Sequence, residues 1–573
     1  MGPNTASCLL IDGQVVAFAE EERFIREKLA TNRIPVRSSL YCLQKHGLTL
    51  ADIDVITVGW DNTKYPVEMK AFYDTRMNHP LKDEYSKIYE SISLSQKNPV
   101  YFTKQIQMSF RRTGYFGDLP EIIYYPHHLC HVYSVYYPSP FTEAIVLVMD
   151  GSGEDMATSI WTARGSDIEC TDIYTLPDSL GYFYAALTEY LGFRVFTGEG
   201  KVMGLAPYGK HDPVLSKALD KILYIDGDGY KIDPEYIYFS ERNYSFRHTD
   251  KLIELLGNKP RLPESEITDW QCNLAWEVQD KLEQVVKHLV RGAVSRYGIH
   301  NICLTGGVAM NCKMNGVVAS MPEIDNCFVI PTSTDSGCAM GSAIYHARHE
   351  QDIREKAKQF SVYSGPSFTD EQILSVFGES KLTSYKKLGD KDLRDYVAGK
   401  LTEGSIVGWF QGQLEVGARA LGNRSILADA TNPDMKEKIN REVKHREGFR
   451  PFAPLILDEF HHEIFDNVNN DDAINYYQWM LQAAEALPGV KEKIPAVVHV
   501  DNSIRPQLVS EATNAKMYFL LKAYYDKTGV PVLLNTSFNI RGEPIVCTPE
   551  DALRCFYTTG LDVLVINNFV IEK

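Results

Sequence analysis

Short apolar runs closed by turn residues, more than long amphipathic periods, set the rhythm of the first half of the chain. Ser7 to Glu21 reads as a hairpin: an apolar run ends at Leu10-Ile11, Asp12-Gly13 supplies the turn, and Gln14-Val15-Val16-Ala17-Phe18 returns. The same figure recurs downstream. Ala144 to Met149 predicts a buried strand, Asp150-Gly151-Ser152-Gly153-Glu154 the turn, and Ala157-Thr158-Ser159-Ile160-Trp161 the return strand. Two strand-Asp-Gly-strand units predict a duplicated α/β fold in which each turn can offer backbone N–H groups to phosphate. A third strand, Asn301 to Thr305, runs into Gly306-Gly307 and then a helix that takes in Asn311. Such a loop lets a nucleotide approach the backbone closely.

Further on, Met340 to Lys358 reads as a helix with a charged second half. Tyr363-Ser364-Gly365-Pro366 breaks the periodicity, and Ser367-Phe368-Thr369-Asp370-Glu371 announces a fresh helix. The division expected from this break gives domains at 1–358 and 363–573. In the second, Val530 to Asn539 predicts a buried strand feeding a polar turn, followed by Arg541-Gly542-Glu543-Pro544. No repeat of 20 to 50 residues and no low-complexity tract interrupts the chain.

At 573 residues the chain exceeds one ordinary core, in keeping with that division. A formal charge of -16 argues against a polyanion-binding face, so nucleic acid is not an expected partner and any anionic ligand must meet a local pocket. Eleven cysteines without a C-x-x-C pair suit reduced thiols in the cytoplasm. The apolar runs are too short to predict a membrane span.

One local pocket is suggested where cations sit among glycines and apolar residues. Gly417 to Ser425 contains Arg419 and Arg424, and Lys444-His445-Arg446-Glu447-Gly448-Phe449-Arg450-Pro451-Phe452 follows. Exposed helical charge would not need such glycine and aromatic packing, whereas a grip on a phosphorylated anion would, because guanidinium forks bind phosphate oxygens bidentately. A second cluster is suggested after the strand-like Ile122 to Tyr125. There Pro126 starts a helix that places His127 and His131 at i and i+4 on one face. Asp150 and Asp335, each near the end of an apolar strand, are the carboxylates best placed to complete a metal site. Two imidazoles with two carboxylates suit Fe(II), Mn(II) or Zn(II).

Several of these segments occur together, in order, in a known family. Ala19-Glu20-Glu21-Glu22-Arg23-Phe24, His127-His128-Leu129-Cys130-His131, Gly200-Lys201-Val202-Met203-Gly204-Leu205-Ala206, Thr305 to Asn311, Gly417 to Ser425 and Arg450 to Pro454 resemble the O-carbamoyltransferases of antibiotic tailoring and nodulation-factor synthesis, the tobramycin and cephamycin enzymes among them. The resemblance implies an N-terminal domain of the actin and sugar-kinase type, similar to the tRNA threonylcarbamoyladenosine enzyme, joined to a C-terminal domain similar to threonylcarbamoyl-adenylate synthase. It implies that carbamoyl phosphate and ATP give carbamoyl-adenylate, which carbamoylates a hydroxyl of a small natural product. By the same resemblance His127, His131, Asp150 and Asp335 hold a divalent metal, Fe(II) in the first place, with Mn, Zn or Mg as alternatives. Lys201, Gly204, Gly306, Gly307 and Asn311 fall to ATP. Lys444, Arg450, Arg505 and Asn535 fall to carbamoyl phosphate, with Arg419, Arg424 and Arg446 nearby. Lys28 lies near the activated intermediate, and Lys28, Lys444 and Arg450 are the expected catalytic groups. A homodimer is left open.

The chain departs from the family pattern at Pro3, where relatives carry a catalytic histidine ahead of the Asp12-Gly13 turn, and at Leu29, where they often carry a second one. Three rival readings follow, one of them a sugar or acyl kinase using the actin-like fold alone, in which the histidine pair and the second domain have no role. A tRNA-modifying enzyme of the threonylcarbamoyl type predicts a basic groove, which the net charge opposes. A non-catalytic, nucleotide-binding regulatory homologue would account for Pro3.

Overall fold

The structure, a computed structural model, describes residues 2–64, 98–238, 247–351, 353, 361–466 and 474–573. It is a mixed α/β fold that divides into two compact units. One comprises Met1–Val16 with Thr31–Phe360, the other Ala17–Ala30 with Ser361–Lys573.

In the first unit the central sheet has five strands, in the order Asn326–Val329, Asn301–Thr305, Glu143–Gly153, Met156–Arg164, Asp167–Thr175. The first three run parallel and the last two return as an antiparallel meander. Ala144 to Met149 is buried throughout, as a strand covered on both faces must be. The amino-terminal hairpin pairs Ala6–Ile11 with Gln14–Glu20 around Asp12 and Gly13, both at positive φ, as the twist of a two-residue hairpin turn demands. The second Asp-Gly figure folds differently. The strand Glu143–Gly153 continues past Asp150, its register shifts between Met149 and Gly153, and the chain reverses beyond Glu154. Asp150-Gly151 is therefore an irregularity within a strand and not the hairpin turn, which re-aims the Asp150 side chain away from the ladder.

Helix Ser336–His349 begins at the Asp335 N-cap position and packs on helix His127–Tyr136, where a Cβ at Gly341 would lie 1.8 Å from the Cys130 carbonyl. The predicted helix thus starts earlier than Met340 and ends at His349, and 354–360 lie outside the described residues. Among the described residues no helix is long and apolar enough to cross a membrane.

The second unit is built on an eight-stranded sheet in the order Lys386–Lys387, Phe569–Glu572, Val563–Ile566, Val407–Phe410, Arg424–Asp429, Val532–Ser537, Ala453–Leu457, Gln507–Val509. Its core packs Leu427, Leu455, Leu533 and Val565 against Leu520, Leu521 and Tyr524 of the helix Glu511–Thr528. Helix Asp370–Glu379 opens on a Thr369 and Gln372 capping box, at the position the turn residues predict.

One segment does not follow its place in the chain. Ala17–Ala30 belongs to the second unit because its polar groups find their partners there. The Glu20 carboxylate accepts from the Gly417 N–H at 3.1 Å, and Arg23 donates to the Gly417 carbonyl at 2.6 Å. Arg26 donates to the carbonyls of Ile545 at 2.6 Å and Pro544 at 2.9 Å.

Candidate functional site

In the first unit four side chains converge. Single ligand atoms of His127, His131, Asp150 and Asp335 all lie within 4.8 Å of one another. The helix places the two imidazoles one above the other, with their Nε2 atoms 3.1 Å apart. His127 Nε2 lies 3.2 Å from Asp150 Oδ2 and 3.8 Å from Asp335 Oδ1, and His131 Nε2 lies 3.6 Å from Asp150 Oδ2. The ring orientation of His127 is fixed from behind: its Nδ1 faces the Gly59 carbonyl at 2.9 Å, so the N–H is taken up there and the Nε2 lone pair faces the carboxylates. The Glu154 carboxylate accepts from the His127 backbone N–H and from the Asp61 N–H, which anchors the start of the helix.

The electrostatics of this cluster are those of ligands sharing protons. Burial alone would lower His131, but the Cys338 sulfur and the bond to Asp150 outweigh it and raise the imidazole to about 9. His127 is likewise raised, against burial, by Cys338, Asp150 and Asp335. Burial and the Asp150 charge push Asp335 up to about 6, while both histidines hold Asp150 well below the usual carboxylate range despite its burial. Two imidazoles with two carboxylates form a donor set for a borderline or hard divalent cation. Cys338, with no spacing signal in the sequence, forms an alternative donor set with the same two histidines.

The glycine loop stands beside this cluster. Gly306 has φ +87°, and a Cβ there would fall 2.2 Å from the Met149 carbonyl, so only glycine fits. The Gly307 N–H donates to Asp150 Oδ1 at 3.2 Å. Asn311 is engaged in structure: its carbonyl oxygen caps the helix Cys312–Ala319 at the Met314 N–H, and its amide exchanges hydrogen bonds with Gln279. Gly204 is buried within helix Glu199–Leu205, and Lys201 of the same helix lies over the Phe193 ring at 5.2 Å.

In the second unit the expected cations sort into two kinds. Arg446, Arg450, Arg505 and Arg541 feel one another's charge. Burial, then Arg450 and Arg505, pull Arg446 well below the ordinary arginine value. Burial, then Arg505 and Arg541, do the same more mildly to Arg450. Among the described residues no acceptor engages the guanidinium of Arg450 or Arg505, and the Nε of Arg505 is buried without a partner. Arg446 is steadied by Asn440 Oδ1 at 2.7 Å and lies over the Phe452 ring at 4.6 Å. Lys28, on the segment that joins this unit, is held low by desolvation and by Arg450, Arg23 and Arg419. Its loop contains Arg26, Leu29 and Ala30 at positive φ, a strain that the Glu22 carboxylate helps to hold through the Leu29 N–H at 2.6 Å. Arg541 was not singled out from the sequence; its place just after the strand Val532–Ser537 was the available signal.

Arg424 is of the other kind. It is fully buried, lies 3.5 Å over the Phe410 ring, and donates to the carbonyls of Gln411, Asn423, Pro366 and Gly412. Both of its Nη groups are committed to protein carbonyls, so it holds the loop. Lys444 also differs from expectation. Its ammonium is bound to Ser537 and Asn539, including the Ser537 carbonyl and Asn539 Oδ1 at 2.8 Å, and burial pulls it well below the ordinary lysine value. It pins the turn after the strand instead of presenting free donors. Asn535 donates to Gln507 Oε1 at 2.7 Å and to the Ala420 carbonyl at 3.2 Å, leaving its Oδ1 as a buried acceptor without a donor among the described residues.

A candidate metal-ligand cluster in one α/β unit and a cluster of arginines in the other are thus the two groups of charged side chains that stand out. Family models described as Carbamoyltransferase N-terminus and Carbamoyltransferase C-terminus match residues 4–344 and 398–573, and the chain belongs to this family of carbamoyltransferases. It is 35% identical to nodulation protein NolNO of Sinorhizobium fredii over 100% of this chain and 80% of that protein. It is 34% identical to nodulation protein NolO of Bradyrhizobium diazoefficiens over 78% of each. An uncharacterized Synechocystis protein is 36% identical over 100% of this chain and 95% of its own length.

Proposed function

We propose that this carbamoyltransferase is an ATP-dependent O-carbamoyltransferase that acts through carbamoyl-adenylate. Water hydrolyses carbamoyl phosphate to carbamate and inorganic phosphate, a carbamate oxygen attacks the α-phosphorus of ATP with release of pyrophosphate, and the hydroxyl oxygen of a small natural product, giving up its proton, attacks the carbamoyl carbon and displaces AMP. In this reading the second unit takes carbamoyl phosphate and the first takes ATP. The observation that carries it is the arginine cluster: Arg450 and Arg505 offer guanidinium forks that no acceptor among the described residues engages. The mutual repulsion of such a cluster is relieved when a phosphate dianion arrives. The orphaned Asn535 Oδ1 supplies a buried acceptor, which suits an N–H donor such as a carbamoyl amide. His127, His131, Asp150 and Asp335 fit a divalent cation, which when bound supplies Lewis-acid charge to phosphoryl oxygens. The backbone at Gly306 and Gly307 can approach a nucleotide because no side chain intervenes.

The test is pyrophosphate release by the purified protein. Release that requires both carbamoyl phosphate and ATP is the expected result. Pyrophosphate release without carbamoyl phosphate, or none with metal, ATP and carbamoyl phosphate supplied, contradicts the adenylation route.

A further inference from the structure

In the first unit too a guanidinium has no acceptor among the described residues, in a segment to which no role has been given. Arg247 is buried at 0% exposure, and among the described residues its Nε, Nη1 and Nη2 atoms have no hydrogen-bond partner. It stacks over the Tyr182 ring at 4.1 Å, with the Phe196 ring at 5.7 Å. Aromatic faces return part of the desolvation cost to a buried cation. A buried ion with no hydrogen-bonding partner costs more than that.

The neighbouring carboxylates do not discharge it. Glu189 accepts from the Arg247 backbone N–H and pairs with the His248 ring at 3.3 Å. Glu199 accepts from the Phe196 N–H at 2.7 Å. No carboxylate oxygen among the described residues comes within ion-pair distance of the guanidinium.

The stacking partner links this group to the metal cluster. The Tyr182 hydroxyl hydrogen-bonds Ser152 Oγ at 2.9 Å, and its ring packs so closely on Gly151 that a Cβ there would lie 2.9 Å from it. Gly151 and Ser152 directly follow Asp150, so one aromatic ring separates Arg247 from the backbone that carries a metal ligand. The other ring above Arg247 belongs to Phe196, whose φ of +62° is rare for a bulky residue and marks a strained cover.

We propose that Arg247 anchors an oxyanion subsite in the first unit, across Tyr182 from Asp150, which takes a phosphate or carboxylate group of a bound small molecule. A planar fork on an apolar shelf suits one bidentate oxyanion. The group can come from two sources, a phosphoryl of the nucleotide or an anionic substituent of the hydroxyl acceptor. The subsite lies apart from the arginine cluster of the second unit, and its test uses no carbamoyl phosphate, so its failure is distinguishable from failure of the adenylation route.

The experiment compares the full-length wild type with Arg247→Met and Arg247→Lys by thermal unfolding and by calorimetry, using ATP, adenosine, inorganic phosphate and acetate as probes. Without ligand, Arg247→Met is expected to melt at or above the wild type, because it removes, at similar volume, a buried charge that no hydrogen bond from the described residues satisfies. It is also expected to lose the stabilisation by phosphate or acetate that the wild type shows, with Arg247→Lys retaining part of it. If the nucleotide supplies the anion, Arg247→Met weakens ATP at least tenfold and leaves adenosine unchanged. If the acceptor supplies it, ATP binding is unchanged, and phosphate or acetate binds the ATP-loaded wild type but not the variant. An Arg247→Met protein that is destabilised or unfolded, or one that binds all four probes as the wild type does, overturns the proposal.

Discussion

Glu415 and Arg424 divide one loop between them by polarity. The buried Glu415 carboxylate accepts from the backbone N–H groups of Leu421, Asn423 and Arg424, at 2.7, 3.3 and 3.1 Å. The Arg424 guanidinium takes carbonyls on the same stretch and on the neighbouring chain, Gln411 at 2.6 Å and Pro366 at 3.0 Å among them. The loop from Gly417 to Ser425 is thereby a rigid support, with Gly417 at φ +87° and Gly422 at φ +103° making the bends that no side chain would allow cheaply.

The first prediction concerns this support. Arg424→Ala leaves buried carbonyls without donors, at about 1 to 3 kcal/mol each, and the second unit should unfold at clearly lower urea concentration. Arg424→Lys should not rescue it, because an ammonium cannot reproduce a planar fork stacked on Phe410. Urea unfolding followed by tryptophan fluorescence checks this; a Lys variant with wild-type stability would show that charge alone suffices.

Arg450 and Arg505 should respond in the opposite sense. Among the described residues neither guanidinium has a hydrogen-bonding or ion-pairing acceptor, so Arg450→Ala or Arg505→Ala should leave the ligand-free stability near wild type. Each loses a charge-assisted contact to bound phosphate worth about 1.5 to 3 kcal/mol, and carbamoyl-phosphate-dependent pyrophosphate release should fall about tenfold to a hundredfold. ATP affinity, measured by calorimetry, should be unchanged. Normal turnover by either variant would remove that arginine from the pocket.

Why some of this was legible in the sequence and some was not comes down to the range of the forces involved. His127 and His131 are four residues apart on one helix, so local geometry alone puts them together, and Asp150 and Asp335 follow from strands that a parallel sheet must align. Arg419, Arg424 and Arg446 look alike in sequence, but their fates depend on distant carbonyls and charges: Arg424 meets Pro366, and Arg446 meets Arg505. Lys444 spends its donors on Ser537 and Asn539, a tertiary contact with no local signature. The transfer of Ala17–Ala30 to the second unit depends on Glu20, Arg23 and Arg26 finding Gly417 and Ile545, far along the chain. Asp150-Gly151 looked like a hairpin turn because composition cannot tell a turn from a bulge two residues short of one.

Gly2 offers a local test of the metal cluster. A Cβ added there would lie 2.8 Å from Asp335 Oδ2, closer than real contacts allow, and the movable partner is the carboxylate itself. Gly2→Ala should therefore displace Asp335, leave overall stability within about 0.5 kcal/mol as surface changes usually do, and weaken cation binding by about tenfold. Cation titration beside a thermal melt measures both. Unchanged affinity would mean that Asp335 is not needed to hold the ion.

The charge state of the cluster gives the last prediction. With no cation bound, the cluster holds protons in its place: His131 is raised to about 9 and Asp335 to about 6. A metal ligand must be deprotonated, so below about pH 9 each binding event has to displace the His131 proton together with that of His127, which is raised likewise, and below about pH 6 the Asp335 proton as well. Affinity for Mn(II) or Fe(II) should accordingly rise with pH between 6 and 9, up to about tenfold per pH unit for each proton displaced, and fall as the solution is acidified. Calorimetry in buffers of differing ionisation enthalpy reads the released protons directly. His127→Ala should abolish both the binding and the proton release, because it removes the nitrogen that faces both carboxylates. A pH-independent affinity, or undiminished metal content in His127→Ala, would place the cation elsewhere and leave these residues as a buried hydrogen-bonding network.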